Sequence, residues 1–274
     1  MRFDAASRYP RFLRTGRFCA ALIGAMFGGA FWTPTVIAAG ASHVSVAAAA
    51  NLVYALDALN AEFKRGEPDV VVTATSGASG SLFAQLRHGA PFDVFLSADT
   101  DYPKQVVADG LGDAATLRTF ASGRLVLWTT RPDLDVSNLA AAIKSPRVRK
   151  IAIAQPATAP YGRAARAVLE NLGAWRAAQP KLVFGESIAQ TAQFVETGNA
   201  DAGFVALSLV LSPRLAQRGR WCEVPSELHR EISLAHAAVL TKRGGANPAA
   251  RRYLEFLGSD AAKQVLRKFG YAVE

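Results

Sequence analysis

Four segments of the sequence place small, hydroxyl or amide residues directly before a run with helical spacing. They are residues 50–51, 79–81, 160–162 and 186–188. The amino end of a helix exposes unpaired N–H groups and about half a positive charge, so it attracts anions. If the four ends meet, they could bind an oxyanion with N–H and O–H donors alone, and Gly77 and Gly80 would let the backbone approach it closely.

Each of these helix starts also has a structural interpretation. Asn51, Ser79 and Ser187 are residue types that cap helix amino ends, and Pro160 suits the first turn of a helix. Arg163 follows the third start, and its side chain is predicted to point away along the helix. The convergence of all four starts is therefore the argument for a ligand, rather than any single residue.

Strand and helix signals alternate along the whole chain after the first 41 residues. Strands are predicted at residues 43–49, 69–74, 93–97, 124–129, 150–154, 181–184, 202–207 and 232–240. Helical spacing fits residues 52–65, 81–88, 163–172 and 189–197. This alternation predicts an α/β protein with mostly parallel sheets and helices on both faces. In such sheets ligands bind at the carboxyl ends of the strands, where the next helix begins.

The first 41 residues have the composition of a secretory signal peptide. Five arginines precede or enter an apolar stretch at residues 18–32, and small residues at 39–41 form a cleavage site. The stretch is too short for a membrane span, so an exported, soluble mature chain is predicted. Because the leader carries five Arg and one Asp, its removal lowers the net charge from +9 to about +5. Cys222 then remains as a single cysteine, which excludes an internal disulfide.

Other function classes find little support in the residues. Residues 77–81 depart from a nucleophile elbow because Ser81 stands where the second Gly is needed. The sequence contains neither a phosphate-binding loop nor the paired ligands of a zinc site. The histidines at positions 43, 88, 229 and 236 are dispersed and are interpreted as packed or surface residues, and Asp99 as a turn or helix cap. Scattered basic residues, without interleaved aromatics, do not indicate nucleic-acid binding.

Three stretches carry a family resemblance. They are VAAAANLVYALDALNAEF, TSGASGSLFAQLRHGAPFDVFLSADTDYPKQVVADG and ETGNADAGFVAL. They resemble the periplasmic molybdate-binding proteins of ABC importers, and the similarity runs in order from about residue 44 to residue 273. The resemblance implies a two-lobed periplasmic-binding-protein (venus-flytrap) fold with crossings near residues 122–127 and 232–240. Residues 42–122 and 240–274 would form one lobe, and residues 123–239 the other.

The family's ligand positions fall at the four helix starts. The resemblance assigns the oxyanion-binding role to Asn51, Ser79, Tyr161, Ile188, Ala50 and Ser187. Two positions depart from the family pattern. Asn51 stands where a Ser is usual, and Ala206 replaces a Tyr that many members carry at the end of a later strand, while Tyr161 offers a phenol from another side.

The resemblance implies a solute-binding protein that captures molybdate or tungstate between its lobes and delivers it to an ABC permease. It further implies a periplasmic monomer that has no enzymatic activity, no cofactor and no bound metal cation. Two alternatives remain open: a carrier of another oxyanion such as sulfate, thiosulfate or phosphate, and, more distantly, an enzyme. An organic acid would require an Arg clamp on its carboxylate. A transcription regulator would require a DNA-binding head where the leader stands.

Overall fold

The computed structural model of the protein describes residues 42–274, so the predicted signal peptide at residues 1–41 lies outside the described residues. The strands are β1 (Ser42–Ala49), β2 (Val70–Gly77), β3 (Val94–Ser97), β4 (Arg118–Ser122), β5 (Leu125–Thr129), β6 (Ile151–Ala154), β7 (Leu182–Gly185), β8 (Ala202–Ala206), β9 (Arg220–Glu223) and β10 (Ala235–Leu240).

The α-helices are α1 (Val53–Gly66), α2 (Ser79–Arg87), α3 (Asp101–Ala108), α4 (Leu139–Lys144), α5 (Pro160–Asn171), α6 (Trp175–Ala178), α7 (Ile188–Glu196), α8 (Leu207–Val210), α9 (Lys242–Gly245), α10 (Pro248–Phe256) and α11 (Asp260–Lys268). Short 3₁₀ turns span Ala50–Leu52, Ala114–Thr116, Gln179–Lys181 and Ser226–His229. Among these described helices, none has the length and apolar composition that a membrane crossing requires.

The strands form two five-stranded sheets. Their orders are β2-β1-β3-β10-β4 and β7-β6-β8-β5-β9. In each sheet four strands run in one direction, while β10 in the first and β5 in the second run against both of their neighbours. The predicted two-lobed α/β fold with mostly parallel sheets is confirmed.

All eight predicted strands form, and two further strands were missed. The missed strands, β4 and β9, lie at the edges of the two sheets. Both carry exposed residues, and β9 has no fully buried position. Their sequences, RTFAS and RWCE, place charged and polar residues among the apolar ones and so lack the apolar run that marks the other strands, including the edge strands β2 and β7.

The chain passes between the sheets at two adjacent segments. The first crossing occupies residues 123–124, between β4 and β5, and the second leads from residue 230 into β10. The N–H of Gly123 donates to the carbonyl oxygen of Leu234 at 3.0 Å, which ties the two crossings together. The predicted lobe boundary at residue 239 is wrong, because residues 235–239 pair with β3 and β4 in the first sheet. This apolar strand fills the gap between β3 and β4 and belongs with the first lobe.

Candidate functional site

The four predicted helix starts surround one small cavity between the lobes. Its lining includes Ala50, Asn51, Ser79, Tyr161 and Ile188. Its volume is about 10 Å³, roughly the room of one water molecule. Five of the six residues assigned to the oxyanion therefore lie together, while Ser187 lines an adjoining cleft of about 550 Å³.

The topology explains why these segments meet. Each follows the carboxyl end of a strand: the 3₁₀ turn Ala50–Leu52 follows β1, α2 follows β2, α5 follows β6 and α7 follows β7. Within each sheet the two strands concerned are parallel neighbours, so their carboxyl ends lie at the same edge. The two edges face each other across the cavity, which brings two helix starts from each lobe together.

Backbone donors at these helix starts remain available to a ligand. The first N–H groups of a helix have no intrahelical partner. Those of Ser79 and Ile188 lie at the first positions of α2 and α7. In α5 the first position is Pro160, which has no N–H, so Tyr161 supplies the first donor of that helix. All three residues line the cavity.

The capping interpretation holds for one of the three polar residues. Ser187 Oγ accepts from the N–H of Gln190 at 3.3 Å and caps α7, as predicted. For Asn51 and Ser79 the prediction is wrong, because Asn51 lies inside a 3₁₀ turn and Ser79 is already the first residue of α2. Their side chains are thus free of the capping role and bond elsewhere.

Ser79 has a hydroxyl group whose orientation is restricted. Its Oγ accepts a hydrogen bond from the N–H of Ala98 at 3.0 Å, and the residue is buried. With one lone pair engaged in this way, the hydroxyl proton can be donated toward the cavity. Ser79 therefore offers both its hydroxyl and its backbone N–H as donors.

Asn51 is held by residues distant in the sequence. Its side-chain Nδ2 donates to Nε2 of His236 at 2.6 Å and to the hydroxyl of Tyr271 at 2.7 Å. Its backbone carbonyl oxygen accepts from the hydroxyl of Ser208 at 2.9 Å and from the hydroxyl of Tyr271 at 3.0 Å. Oδ1 is buried with no hydrogen-bond partner among the described residues. The amide protons are thus committed to His236 and Tyr271, which leaves the backbone N–H as the donor that Asn51 can offer to an anion.

His236 is neutral in this arrangement. It is fully buried, and its Nδ1 lies 2.8 Å from the carbonyl oxygen of Leu234, so Nδ1 carries the proton and donates. Burial lowers the pKa of His236 to about 4. Nε2 therefore keeps a lone pair that accepts from Asn51. Sequence reasoning missed this role, as well as those of Tyr271 and Ser208, because no local motif links these residues to Asn51.

Tyr161 contributes a buried phenol beside the crossings. Its hydroxyl lies against the Cα of Gly123, where a β-carbon would clash with it, and near the ring of His236. The hydroxyl has no hydrogen-bond partner within residues 42–274, and burial raises the pKa of Tyr161 well above its ordinary value. The phenol therefore stays protonated and can act as a donor.

Comparison with known proteins places the chain in a family. The model of the family described as "Bacterial extracellular solute-binding protein" matches residues 44–272. The chain belongs to this family. It is 38% identical over 270 residues to the molybdate-binding protein ModA of Rhodobacter capsulatus, covering 98% of this chain and 100% of the relative. It is 40% identical over 237 residues to ModA of Azotobacter vinelandii, covering 86% and 92% of the two chains.

A solved structure supports the same placement. The periplasmic molybdate-binding protein of Azotobacter vinelandii superimposes with a TM-score of 0.79 at 30% sequence identity. The superposition covers 84% of this chain and 99% of the other. The relatives are binding proteins rather than enzymes, and the two-lobed fold is the one on which this solute-binding family is built.

Arg163 in this solute-binding protein does not point away along its helix, and that prediction is wrong. Its side chain reaches across the cleft to Asp99, which also accepts from the N–H of Tyr102 at the start of α3, in line with its predicted capping role. The guanidinium is thereby neutralised at the rim of the site. No Lys, Arg or His is among the described residues that line the cavity.

Proposed function

We propose that this protein binds molybdate or tungstate in the cavity between its lobes and delivers the anion to an ABC permease. The observation that carries the proposal is the convergence of four chain segments, which direct N–H and O–H donors into one buried cavity without a lining cation. The relatives named molybdate-binding protein support molybdate as the ligand. The assignment of Asn51, Ala50, Ser79, Tyr161, Ile188 and Ser187 to the anion is part of the proposal.

The binding energy is sufficient without counter-charges. A hydrogen bond to an ionised group contributes about 1.5–3 kcal/mol. The summed free energy of about six such bonds exceeds the lower part of the ~4–15 kcal/mol free-energy cost of association. Enclosure between two lobes strengthens each bond, because water is excluded from the cavity. Asn51 takes part through its backbone, and its side chain holds that backbone in place.

The family also supports a proposal for the cellular location and form of the protein. An extracellular solute-binding protein acts outside the cytoplasmic membrane, and we propose a periplasmic location and an exported, monomeric form. The proposal includes no catalysis, no cofactor and no metal cation. No group of three or more His, Cys, Asp or Glu in the described chain is arranged to hold a cation.

Titration calorimetry with a panel of oxyanions tests the proposal. Molybdate and tungstate should bind the purified protein with sub-micromolar dissociation constants, while sulfate, thiosulfate and phosphate should bind more weakly. Tight binding of sulfate or thiosulfate, with weak binding of molybdate, would assign the protein to another oxyanion. Absence of binding by every anion in the panel would refute the oxyanion site itself.

A further inference from the structure

We propose that Asp99 and Arg163 form an interlobe clamp that positions the two sides of the oxyanion cavity and sets the rate at which the anion leaves. The ligand in this inference rests on the proposed function. The clamp itself is defined by an ion pair that joins the lobes, with Nη2 of Arg163 at 2.5 Å from Oδ2 of Asp99.

The ion pair lies close to two residues assigned to the anion, one in each lobe. Asp99 follows Ala98, whose N–H donates to Ser79 Oγ in the first lobe. Arg163 lies in the first turn of α5, two residues after Tyr161 in the second lobe. The pair therefore restrains the distance between Ser79 and Tyr161, which face each other across the cavity.

The carboxylate is oriented by its own lobe before Arg163 reaches it. Oδ1 of Asp99 accepts from the hydroxyl of Ser97 at 2.8 Å and from the N–H of Tyr102 at 3.2 Å. Both donors belong to the first lobe and stay in place when the lobes part. Oδ2 faces the second lobe, so the bond to Arg163 is the one that opening must break.

Neighbouring contacts close the same rim. The N–H of Gly80 donates to the carbonyl oxygen of Thr158 at 2.8 Å, and the guanidinium of Arg163 lies over the ring of Tyr102 with its carbon 5.5 Å from the ring centroid. Each of these contacts joins one lobe to the other. The clamp is thus the charged part of a continuous interlobe contact beside the cavity.

The two partners differ in burial, and this difference predicts an asymmetry. The side chain of Asp99 is 3% exposed, whereas that of Arg163 is 27% exposed. A buried carboxylate that loses its counter-charge is strongly disfavoured, while a partly exposed guanidinium can still reach water. Removal of the Arg163 side chain should therefore destabilise the closed state more than neutralisation of Asp99 does.

The test is the dissociation rate of molybdate, measured by stopped flow on the purified protein. Arg163→Met should release molybdate at least about 10-fold faster than wild type. Asp99→Asn should have a smaller effect, and Arg163→Lys an intermediate one because it keeps the charge. The double variant should release molybdate more slowly than the product of the two single-variant rate increases predicts, because the two charges interact.

Arg166→Met is the matched control. Arg166 lies one turn further along α5 and pairs with Glu170 at 2.8 Å, entirely within the second lobe. Its removal should leave the dissociation rate unchanged. Additive effects of Asp99→Asn and Arg163→Met, or equal rates for Arg163→Met and Arg166→Met, would overturn the clamp. If Arg163→Met does not fold, Asp99→Asn and Arg163→Lys carry the same comparison.

A measurement without ligand separates this inference from the proposed function. Small-angle X-ray scattering should give a larger radius of gyration for Arg163→Met than for wild type or Arg166→Met. If wild type binds no oxyanion but this difference appears, the proposed function fails and the clamp stands. If wild type binds molybdate but Arg163→Met matches Arg166→Met in both measurements, the clamp fails and the function stands.

Discussion

The side-chain amide of Asn51 donates to Nε2 of His236 at 2.6 Å and joins the first helix start of the cavity to the strand that returns from the second lobe. Because Nδ1 of His236 bonds to the carbonyl oxygen of Leu234, the hydrogen bond from Asn51 needs Nε2 unprotonated. A neutral His236 is therefore a condition for this arrangement of the site.

We expect the free energy of unfolding to decrease as the pH falls from 6.5 toward 4. Burial lowers the pKa of His236 from its ordinary 6.5 to about 4 in the folded protein. Between these values the unfolded chain binds a proton that the folded protein does not, so acid favours unfolding. Above pH 6.5 neither state holds this proton and the contribution is constant. The shift corresponds to about 3 kcal/mol, and urea unfolding at several pH values would measure it.

His236→Gln provides the comparison for this pH dependence. Its amide oxygen can still accept from Asn51, but the side chain does not titrate. The variant should unfold with a shallower pH dependence between 4 and 6.5, while the carboxylates contribute equally in both proteins. An unchanged slope would show that His236 is not the group responsible.

Ser79→Ala should weaken molybdate binding by roughly 1–3 kcal/mol, because one charge-assisted hydrogen bond is lost. The substitution also leaves the buried N–H of Ala98 without its acceptor, so a stability loss of about 1–3 kcal/mol should accompany it. Calorimetry and thermal unfolding separate the two effects. Ser81→Ala, in the same helix but lining the larger cleft, should preserve the affinity. Unchanged affinity in Ser79→Ala would place the hydroxyl outside the anion site.

The helix starts were predictable because their signals are local. Apolar runs mark buried parallel strands, and Ser, Asn or Pro mark the turns that follow them. Together with the rule that ligands bind at the carboxyl ends of parallel strands, these signals indicated that the starts would converge. The structure brings Asn51, Ser79, Tyr161 and Ile188 to one cavity on that basis.

The contacts that orient these residues were not predictable, because they depend on tertiary packing. His236 and Tyr271 reach Asn51 from 185 and 220 residues away. Arg163 was expected to follow its helix, yet the buried carboxylate of Asp99 across the cleft directs it to the other lobe. Strands β4 and β9 escaped detection because their short sequences, RTFAS and RWCE, contain no apolar run.

Selectivity against sulfate should follow from the rigidity of the helix ends. Sulfate is a smaller tetrahedron than molybdate, so helix starts positioned for the larger ion cannot all bring their donors within about 2.7–3.2 Å of its oxygens. The loss of two or three good bonds should weaken sulfate binding by at least about two orders of magnitude. Competition calorimetry at neutral pH, with sulfate displacing molybdate, measures the ratio. Comparable affinities for the two anions would contradict a site built for the larger one.

Gly80→Ala should obstruct closure of the lobes. A β-carbon at Gly80 would clash with the hydroxyl of Tyr102 and lie 2.8 Å from its Cζ and 2.9 Å from the carbonyl oxygen of Thr158 in the other lobe. The contact with Thr158 joins the two lobes and is relieved when they open, whereas the contact with Tyr102 lies within the first lobe, so the unfolding temperature without ligand should fall modestly. Closure should become unfavourable, and the molybdate affinity should fall at least about 10-fold, since clashes this short with backbone cannot relax cheaply.

Gly77→Ala is the control for this prediction, because it adds the same methyl group three residues earlier, at a glycine that lines the cavity. Its β-carbon would lie 3.4 Å from Cγ of Leu82, an ordinary contact within the first lobe. Calorimetry should therefore give Gly77→Ala a molybdate affinity near that of wild type. If both alanine variants bind equally well, the approach of Thr158 to Gly80 is not required for binding. If both lose affinity to the same extent, the cause is a general effect on the loop between β2 and α2 rather than closure.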